Sequence, residues 1–424
     1  MSNYLAPSGF PEYLPPVQAQ FEWLKQKIAD SFAAYGFVYL QTPAVEYLNT
    51  LASEGDISKE IYALTRAASE GESGSLDRGL RFDLTTPFAR YVSNHQGHLT
   101  FPFKRYQIDR VWRGERPQKG RYRELYQADV DIVDRDELNS TFDGEILSII
   151  ASTLDSLDLF DFTIRVNDRH FLQTYIARYG VVESHLPAAF NIIDKLAKVP
   201  AEVSRARLVE ECALSQEQAA ELLEGLSQPI PLEDYAELSP DFAPLATAVQ
   251  ALDLQRGRIV IDLSIVRGLD YYTGFVYETT VNGHEGFGSI SSGGRYANLA
   301  ARFSKNSFPG VGGSIGLSRL FFVLQETNLL PALPTPVGVY VLALEESQQA
   351  ANQALAATLR VARIRAEVAP AVTKFGKQLK YATAKDYPYA AICELDGTIT
   401  LKDLSAREQT TGLSATEVLA KINT

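Results

Sequence analysis

Between Lys104 and Arg123 eight Lys or Arg meet two acids, Asp109 and Glu115, a local excess of six positive charges in a chain of net charge −12. Arginine dominates, and its planar fork matches phosphate oxygens two at a time, which a lysine cannot do. The run VWRGERPQKGRYRELYQADVD (111–131) therefore sets cationic forks beside Glu115, Gln127 and Asp131, a combination suited to holding an activated polyanion such as a nucleotide. A solvated surface hairpin is the plainer alternative for such a charge run. Read as strand, loop and strand, the segment turns at Pro117 to Gly120. Alternation then sends Arg121, Arg123 and Leu125 to one face and Tyr122, Glu124 and Tyr126 to the other.

The elements that must position these groups are legible in outline. Val17 to Tyr35 has helical spacing (Phe21, Leu24, Ile28, Phe32), and the β-rich Phe37 to Gln41 follows it before Thr42 and Pro43. Ser53 to Arg78 is polar and rich in Gly and Ser, as expected of a loop over a site. Thr86 and Pro87 suit the cap and first residue of a helix through FARYVSN. Residues 169–250 read as a helical block inserted between strand signals, with strands resuming at Arg258 to Leu263 and Phe275 to Val281. GVGGSIGLSRLFFVLQ is a glycine-rich approach to a helix, Leu317 to Gln325, and its glycines could serve a ligand or close helix packing. Leu330 to Pro336, with three prolines in seven residues, is the clearest linker. The expected division is a core over 1–329, a linker over 330–336 and a small α/β domain with a mostly parallel sheet over 337–424.

Composition narrows the classes. The length supports two or three domains with full cores. Cys212 and Cys393 lie far apart and the five histidines show no ligand spacing beyond the pair His95 and His98, which reads as loop surface, so neither a disulfide framework nor a metal site of the protein's own is expected. No stretch of eighteen apolar residues and no signal-like N-terminus appear, which predicts a cytoplasmic protein with no membrane partner. Neither GxxxxGK[ST] nor the dinucleotide glycine spacing is present, because Ile315 stands where the third glycine would be.

Set beside IVRGLDYYTGFVYE (265–278), GSISSGGRYANL (288–299), GVGGSIGLSRL (310–320) and LKYATAKDYPYAAI (379–392), the arginine-rich run resembles the histidyl-tRNA synthetase family of class II aminoacyl-tRNA synthetases over nearly the whole chain. The resemblance implies an α+β class II core, an antiparallel sheet flanked by helices with a helical insertion, and a C-terminal α/β anticodon-binding domain. It implies a homodimer paired through the helix and strand ending at Pro43. It also implies that L-histidine and ATP, with Mg2+ carried on the nucleotide, form histidyl adenylate, whose histidyl group passes to the 3′ end of tRNA(His).

By the same resemblance Arg113 and Arg267 are the catalytic arginines at the α-phosphate, and both also touch histidine. Asp83, Leu84 and Thr85 of FDLTTP, with Gln127, hold the α-ammonium end; Asp131 and Tyr272, with Tyr271 nearby, serve the imidazole. Glu115 accepts from the adenine amine, Arg121 and Arg319 hold the outer phosphates, and Leu125 stands where the family usually stacks an aromatic on adenine. Arg116 and Gln118 would meet the tRNA acceptor end. Ala297 follows GGRY where the family commonly has Asp. From Val337 onward ten basic and nine acidic residues predict contact-specific RNA binding rather than a basic stripe. The alternative reading is the histidine-sensing regulatory subunit of ATP phosphoribosyltransferase, which shares this core. The domain after Pro336 and the presence of Arg267 argue against it.

Overall fold

The computed structural model describes residues 5–51, 60–65, 77–196, 199–228, 230–231, 243–266, 272–297, 299–333 and 337–422. Its contacts divide the chain into two units, Met1–Pro331 and Ala332–Thr424. The strands of the first unit, in chain order, are β1 (Val38–Tyr39), β2 (Val45–Tyr47), β3 (Ala63–Leu64), β4 (Arg78–Leu80), β5 (Phe103–Trp112), β6 (Glu124–Val133), β7 (Phe162–Asp168), β8 (Ile230–Pro231), β9 (Gly257–Ile261), β10 (Phe275–Val281), β11 (Ser291–Tyr296) and β12 (Gly310–Ile315). Nine of them form one sheet in the order β1-β5-β6-β12-β11-β10-β7-β9-β8, and β2-β4-β3 form a small second sheet. The large sheet is antiparallel except where β1 meets β5 and β7 meets β9, so the expected antiparallel core is a mixed sheet with two parallel pairs near its ends.

This sheet is two-faced because its strands alternate. On β6, Ala128, Val130 and Ile132 enter a core that also holds Val311 and Ile315 of β12. Over that face lie the helices Pro15–Ala34, Thr141–Asp155 and Leu317–Glu326. The first buries Phe21, Leu24, Ile28 and Phe32, the expected stripe, and the Ser31 and Thr153 hydroxyls bond across to the second at 2.7 Å. The opposite face of β6 carries Leu125, Gln127, Asp129 and Asp131, and there the cavities open.

The inserted block is helical, as expected: Arg169–Ala177, Leu186–Ile193, Ala201–Cys212, Gln216–Leu226 and Ala243–Gln250. Local chemistry starts two of these helices. The Asp168 carboxylate accepts from the His170 and Phe171 amides, and Ser215 with Gln218 closes a capping box.

The second unit has β13 (Gly338–Val341), β14 (Arg365–Val368), β15 (Tyr389–Cys393), β16 (Ile399–Asp403) and β17 (Glu408–Leu413), in the order β14-β13-β15-β16-β17. Helices Gln349–Val361, Phe375–Ala384 and Ala415–Ile422 complete it. β13 pairs parallel with β14 and β15, but β15-β16 and β16-β17 are antiparallel, so the sheet is mixed rather than mostly parallel. Among the described residues no helix is long and apolar enough to cross a membrane.

Candidate functional site

Two cavities lie on the polar face of the large sheet. The smaller, about 230 Å³, is lined by Asp83, Thr85, Asp129, Asp131, Tyr272 and Tyr296 among others; the larger, about 670 Å³, by Glu115, Arg121, Leu125, Glu278 and Arg319 among others. Arg113, Gln127, Ser292 and Ser314 line both, so the two spaces meet around the Arg113 guanidinium.

Arg113 is aimed by three contacts. Its guanidinium carbon lies 4.6 Å from the centre of the Phe82 ring, Nε donates to the Phe82 carbonyl at 3.3 Å and Nη2 to the Gln127 amide oxygen at 3.3 Å. Gln127 is in turn held by its other end, donating from Nε2 to the Ser314 hydroxyl at 3.0 Å. Ser314, which accepts there, lines the small cavity together with Asp129.

The floor of the small cavity follows from strand register. Arg105 on β5, Asp131 on β6 and Gly312 on β12 stand opposite one another in one row. The Arg105 Nη2 lies 2.7 Å from Asp131 Oδ2 with both side chains buried, and Tyr296 donates to Asp131 Oδ1 at 3.2 Å. Arg105 also packs 4.3 Å over the Phe88 ring and donates to the Leu84 carbonyl at 3.0 Å. A Cβ on Gly312 would come within 2.3 Å of Asp131 Oδ1, so only glycine leaves space there. Gly312 thus serves the cavity, whereas a Cβ on Gly313 would meet the Tyr277 hydroxyl and Ile150 of helix Thr141–Asp155, so both expected roles, ligand space and close packing, are present.

Asp83 gives its carboxylate to the start of helix Thr85–His95, accepting from the Thr86 amide at 3.0 Å and the Thr86 hydroxyl at 3.1 Å. The expected Thr86 cap is therefore corrected: the helix begins two residues earlier, at Thr85 with Leu84 at the cap, and the Asp83 carboxylate supplies the side-chain acceptor, a stronger one for the first N–H groups. Leu84, expected in the site, buries its side chain in the core instead.

Burial pushes up the pKa of all three carboxylates. For Asp83 it outweighs the Thr86 bonds and the charges of Arg113 and Arg105, and for Asp131 it outweighs Arg105 and the Tyr296 bond. Asp129 is raised to about 7, by burial first and by neighbouring Asp131, against the pull of Arg105.

The large cavity sets the arginines Arg113, Arg121, Arg165 and Arg319 among the carboxylates of Glu115, Asp194, Asp262, Glu278 and Glu285. Burial and the nearby Arg121 and Arg113 charges hold the Arg319 guanidinium below its usual range, while its Nη1 donates to the Ser289 carbonyl at 3.0 Å. Arg121 lies 3.8 Å from Glu115, both partly exposed. Leu125 lines the same space. Arg116 and Gln118 are exposed on the loop. Its turn closes one residue later than expected, through paired backbone bonds between Gln118 and Arg121, with Gly120 at φ +70. Arg123 leaves the face expected of it, donating to the Ser8 and Glu115 carbonyls, because residues 113–123 are not in a paired strand and alternation does not govern them. Arg267 and Tyr271 lie outside the described residues.

The sequence does not single out Arg105, Asp129, Tyr296, Gly312 and Ser314 as site residues. Continuing the alternation past Tyr126 would have placed Gln127, Asp129 and Asp131 on one face. Nothing local could have brought Arg105 and Tyr296 to Asp131.

The histidyl-tRNA synthetase family model matches residues 9–320, and an anticodon binding domain model matches residues 338–424. A histidine–tRNA ligase of Thermobifida fusca is 42% identical over 397 residues, covering 90% of each chain. One of Micrococcus luteus is 40% identical over 414 residues, covering 92% of this chain and 90% of the relative. The crystal structure of histidyl-tRNA synthetase from Nostoc sp. PCC 7120 superposes with a TM-score of 0.86 at 32% identity, covering 100% of this chain and 99% of that one. Matched in both units and over nearly its whole length, the chain belongs to the histidyl-tRNA synthetase family.

Proposed function

We propose that this chain joins L-histidine to ATP in the two adjoining cavities and passes the histidyl group to tRNA(His). The observation that carries this reading is the position of Arg113. It stands where a carboxylate-lined space of amino-acid size meets an arginine-lined space of nucleotide size. In the first step the amino-acid carboxylate attacks the α-phosphorus and pyrophosphate leaves from the opposite side. Negative charge gathers on the α-phosphate oxygens, and fixed cations stabilise it without reorganising. Arg113, anchored on Phe82 and Gln127, would meet both the attacking carboxylate and the α-phosphate; Arg121 and Arg319 would hold the outer phosphates. Arg267 is assigned to the α-phosphate by family likeness.

Glu115 would take the adenine amine, exchanging its contact with Arg121 for the nucleotide. Magnesium would enter on the phosphates. The carboxylates of Glu278 and Glu285 line the same cavity and suit an ion that needs only one or two protein oxygens beside phosphate. When bound, the ion neutralises phosphate charge. Asp83, Thr85 and Gln127 would hold the α-ammonium, and Asp131, Tyr271 and Tyr272 the imidazole. A pocket of such paired donors and acceptors rejects amino acids that leave them unpaired. Exposed Arg116 and Gln118 suit the tRNA acceptor end, and the unit matched as an anticodon binding domain suits the anticodon. That unit also weighs against a purely regulatory role. We place a second copy against β1 and β2, where Val38, Tyr39, Val45 and Tyr47 are half exposed.

The test is exchange of labelled pyrophosphate into ATP without tRNA. Exchange should require histidine and should not be supported by other amino acids; histidine binding without exchange would overturn the reading.

A further inference from the structure

One residue at the root of the inserted helical block has no part in the reading above. Arg169 follows the last residue of β7 and opens helix Arg169–Ala177. A cation is badly placed there, because the positive end of the helix dipole lies at that terminus. Its Nε is also buried with no hydrogen-bond partner, a cost that calls for an explanation outside the helix itself. The neighbouring Asp168 gives no relief, since its Oδ1 accepts from the His170 and Phe171 amides. What Arg169 does hold is the segment that enters β10. Its Nη1 donates to the Tyr272 carbonyl at 2.6 Å, and its backbone amide donates to the Gly274 carbonyl at 3.2 Å. A charged donor makes the first of these roughly twice as strong as a neutral hydrogen bond.

Tyr272 needs such an anchor. Its ring lies on Gly294 of β11, where a Cβ would come within 2.9 Å of Cδ1. Gly294 stands opposite Gly312, and Gly312 opposite Asp131, so the ring approaches the small cavity over bare backbone. Glycine gives the ring room but no side chain to stop it, and the depth of the ring is set from its own main chain. There the Thr273 amide donates to the Arg295 carbonyl at 2.9 Å. The Arg295 guanidinium is taken up by Asp143 and by the Leu138 and Asn139 carbonyls, so the Tyr272 carbonyl is left to Arg169.

We propose that Arg169 is a positioning residue for amino-acid activation: from the first turn of the inserted block it fixes the main chain of Tyr272 and thereby where that side chain stands in the small cavity. The inserted block then takes part in the first chemical step without touching either substrate. This rests on the small cavity being the histidine site with Tyr272 at the imidazole. A misplacement of roughly 1 Å at such a group can cost about a hundred-fold.

The experiment measures kcat and KM for histidine and for ATP in pyrophosphate exchange, for Arg169→Ala and Arg169→Lys in the full chain and for Arg169→Ala combined with Tyr272→Phe. In Arg169→Ala the histidine KM should rise by about tenfold, in line with losing a charge-assisted bond, while the ATP KM changes by less than about two-fold. Arg169→Lys keeps a cationic donor and should recover most of the loss. On the Tyr272→Phe background Arg169→Ala should add less than about two-fold, because a residue that acts through Tyr272 has nothing left to position. Should the alanine variant fold poorly, Arg169→Met fills similar space without a donor and carries the same expectation. An unchanged histidine KM, equal weakening of histidine and ATP, or a full additional loss on the Tyr272→Phe background overturns the proposal. Absence of exchange in the unsubstituted protein would instead overturn the histidine reading itself.

Discussion

The small cavity is acidic and built on buried contacts, while the large one is wider and mixes arginines with carboxylates. Around Asp131 every contact is buried and fixed by strand register: Arg105 on one neighbouring strand, Gly312 on the other, Tyr296 beyond. Around Arg121 the contacts are looser, its carboxylate neighbour Glu115 being 3.8 Å away and both side chains partly exposed. On the proposed assignment of histidine to the small cavity and ATP to the large one, the difference follows from what each would have to distinguish. Selecting one amino acid requires buried polar groups that punish a wrong ligand. Holding a nucleotide's phosphates requires concentrated charge, which tolerates looser geometry and solvent. Arg113 belongs to both spaces, so a lesion there should not respect the division.

The strongest way to break the comparison is accordingly Arg113→Ala. Pyrophosphate exchange should fall by about a thousand-fold, in the range for loss of a fixed transition-state donor, with KM raised for both substrates. A loss confined to one substrate would mean the cavities do not communicate at this residue. Gly312→Ala comes next. A Cβ 2.3 Å from Asp131 Oδ1 must displace that carboxylate, and the histidine KM should rise by roughly 10- to 100-fold, about 1.4 to 2.7 kcal/mol, with the ATP KM nearly unchanged.

Stability should register the acidic cavity as well. The folded protein keeps the Asp129 proton up to about pH 7, whereas its ordinary value is 3.8. Between those limits the folded state binds more protons than the unfolded chain, so this group makes the unliganded protein less stable as pH rises. Asp129→Asn should raise the melting temperature at pH 8 by several degrees, because each tenfold difference in proton affinity between the two states is worth ~1.4 kcal/mol. Near pH 4 it should leave the melting temperature nearly unchanged. A uniform gain at both pH values would remove the electrostatic explanation. The smallest effect belongs to the large cavity. Leu125→Phe should lower the ATP KM by about three-fold through aromatic stacking, worth ~0.5 to 1 kcal/mol, without altering the histidine KM.

What can be read from the sequence is whatever repeats locally. The stripe Phe21, Leu24, Ile28, Phe32 marks its helix unaided, and the arginine-rich run marks the large cavity because its charges lie close together in the chain. Features that depend on distant segments stay hidden. Arg105 is twenty-six residues from Asp131 and Tyr296 far beyond, and only pairing across β5, β6, β12 and β11 assembles them. Strand β17 escapes for a different reason: EQTTGL is exposed over most of its length at a sheet edge and so carries no apolar alternation. Thr86 has the residue type of a helix cap, but it lies inside the helix and Asp83, three residues earlier, is the acceptor for its amide and hydroxyl.

Gln127 is gripped at both ends, its oxygen by Arg113 and its nitrogen by Ser314. A side chain so held cannot adjust to an occupant of one cavity without altering what it offers the other. On the proposed assignment histidine and ATP would be coupled through it: whatever factor one substrate contributes to the other's equilibrium affinity, the second must return in equal measure.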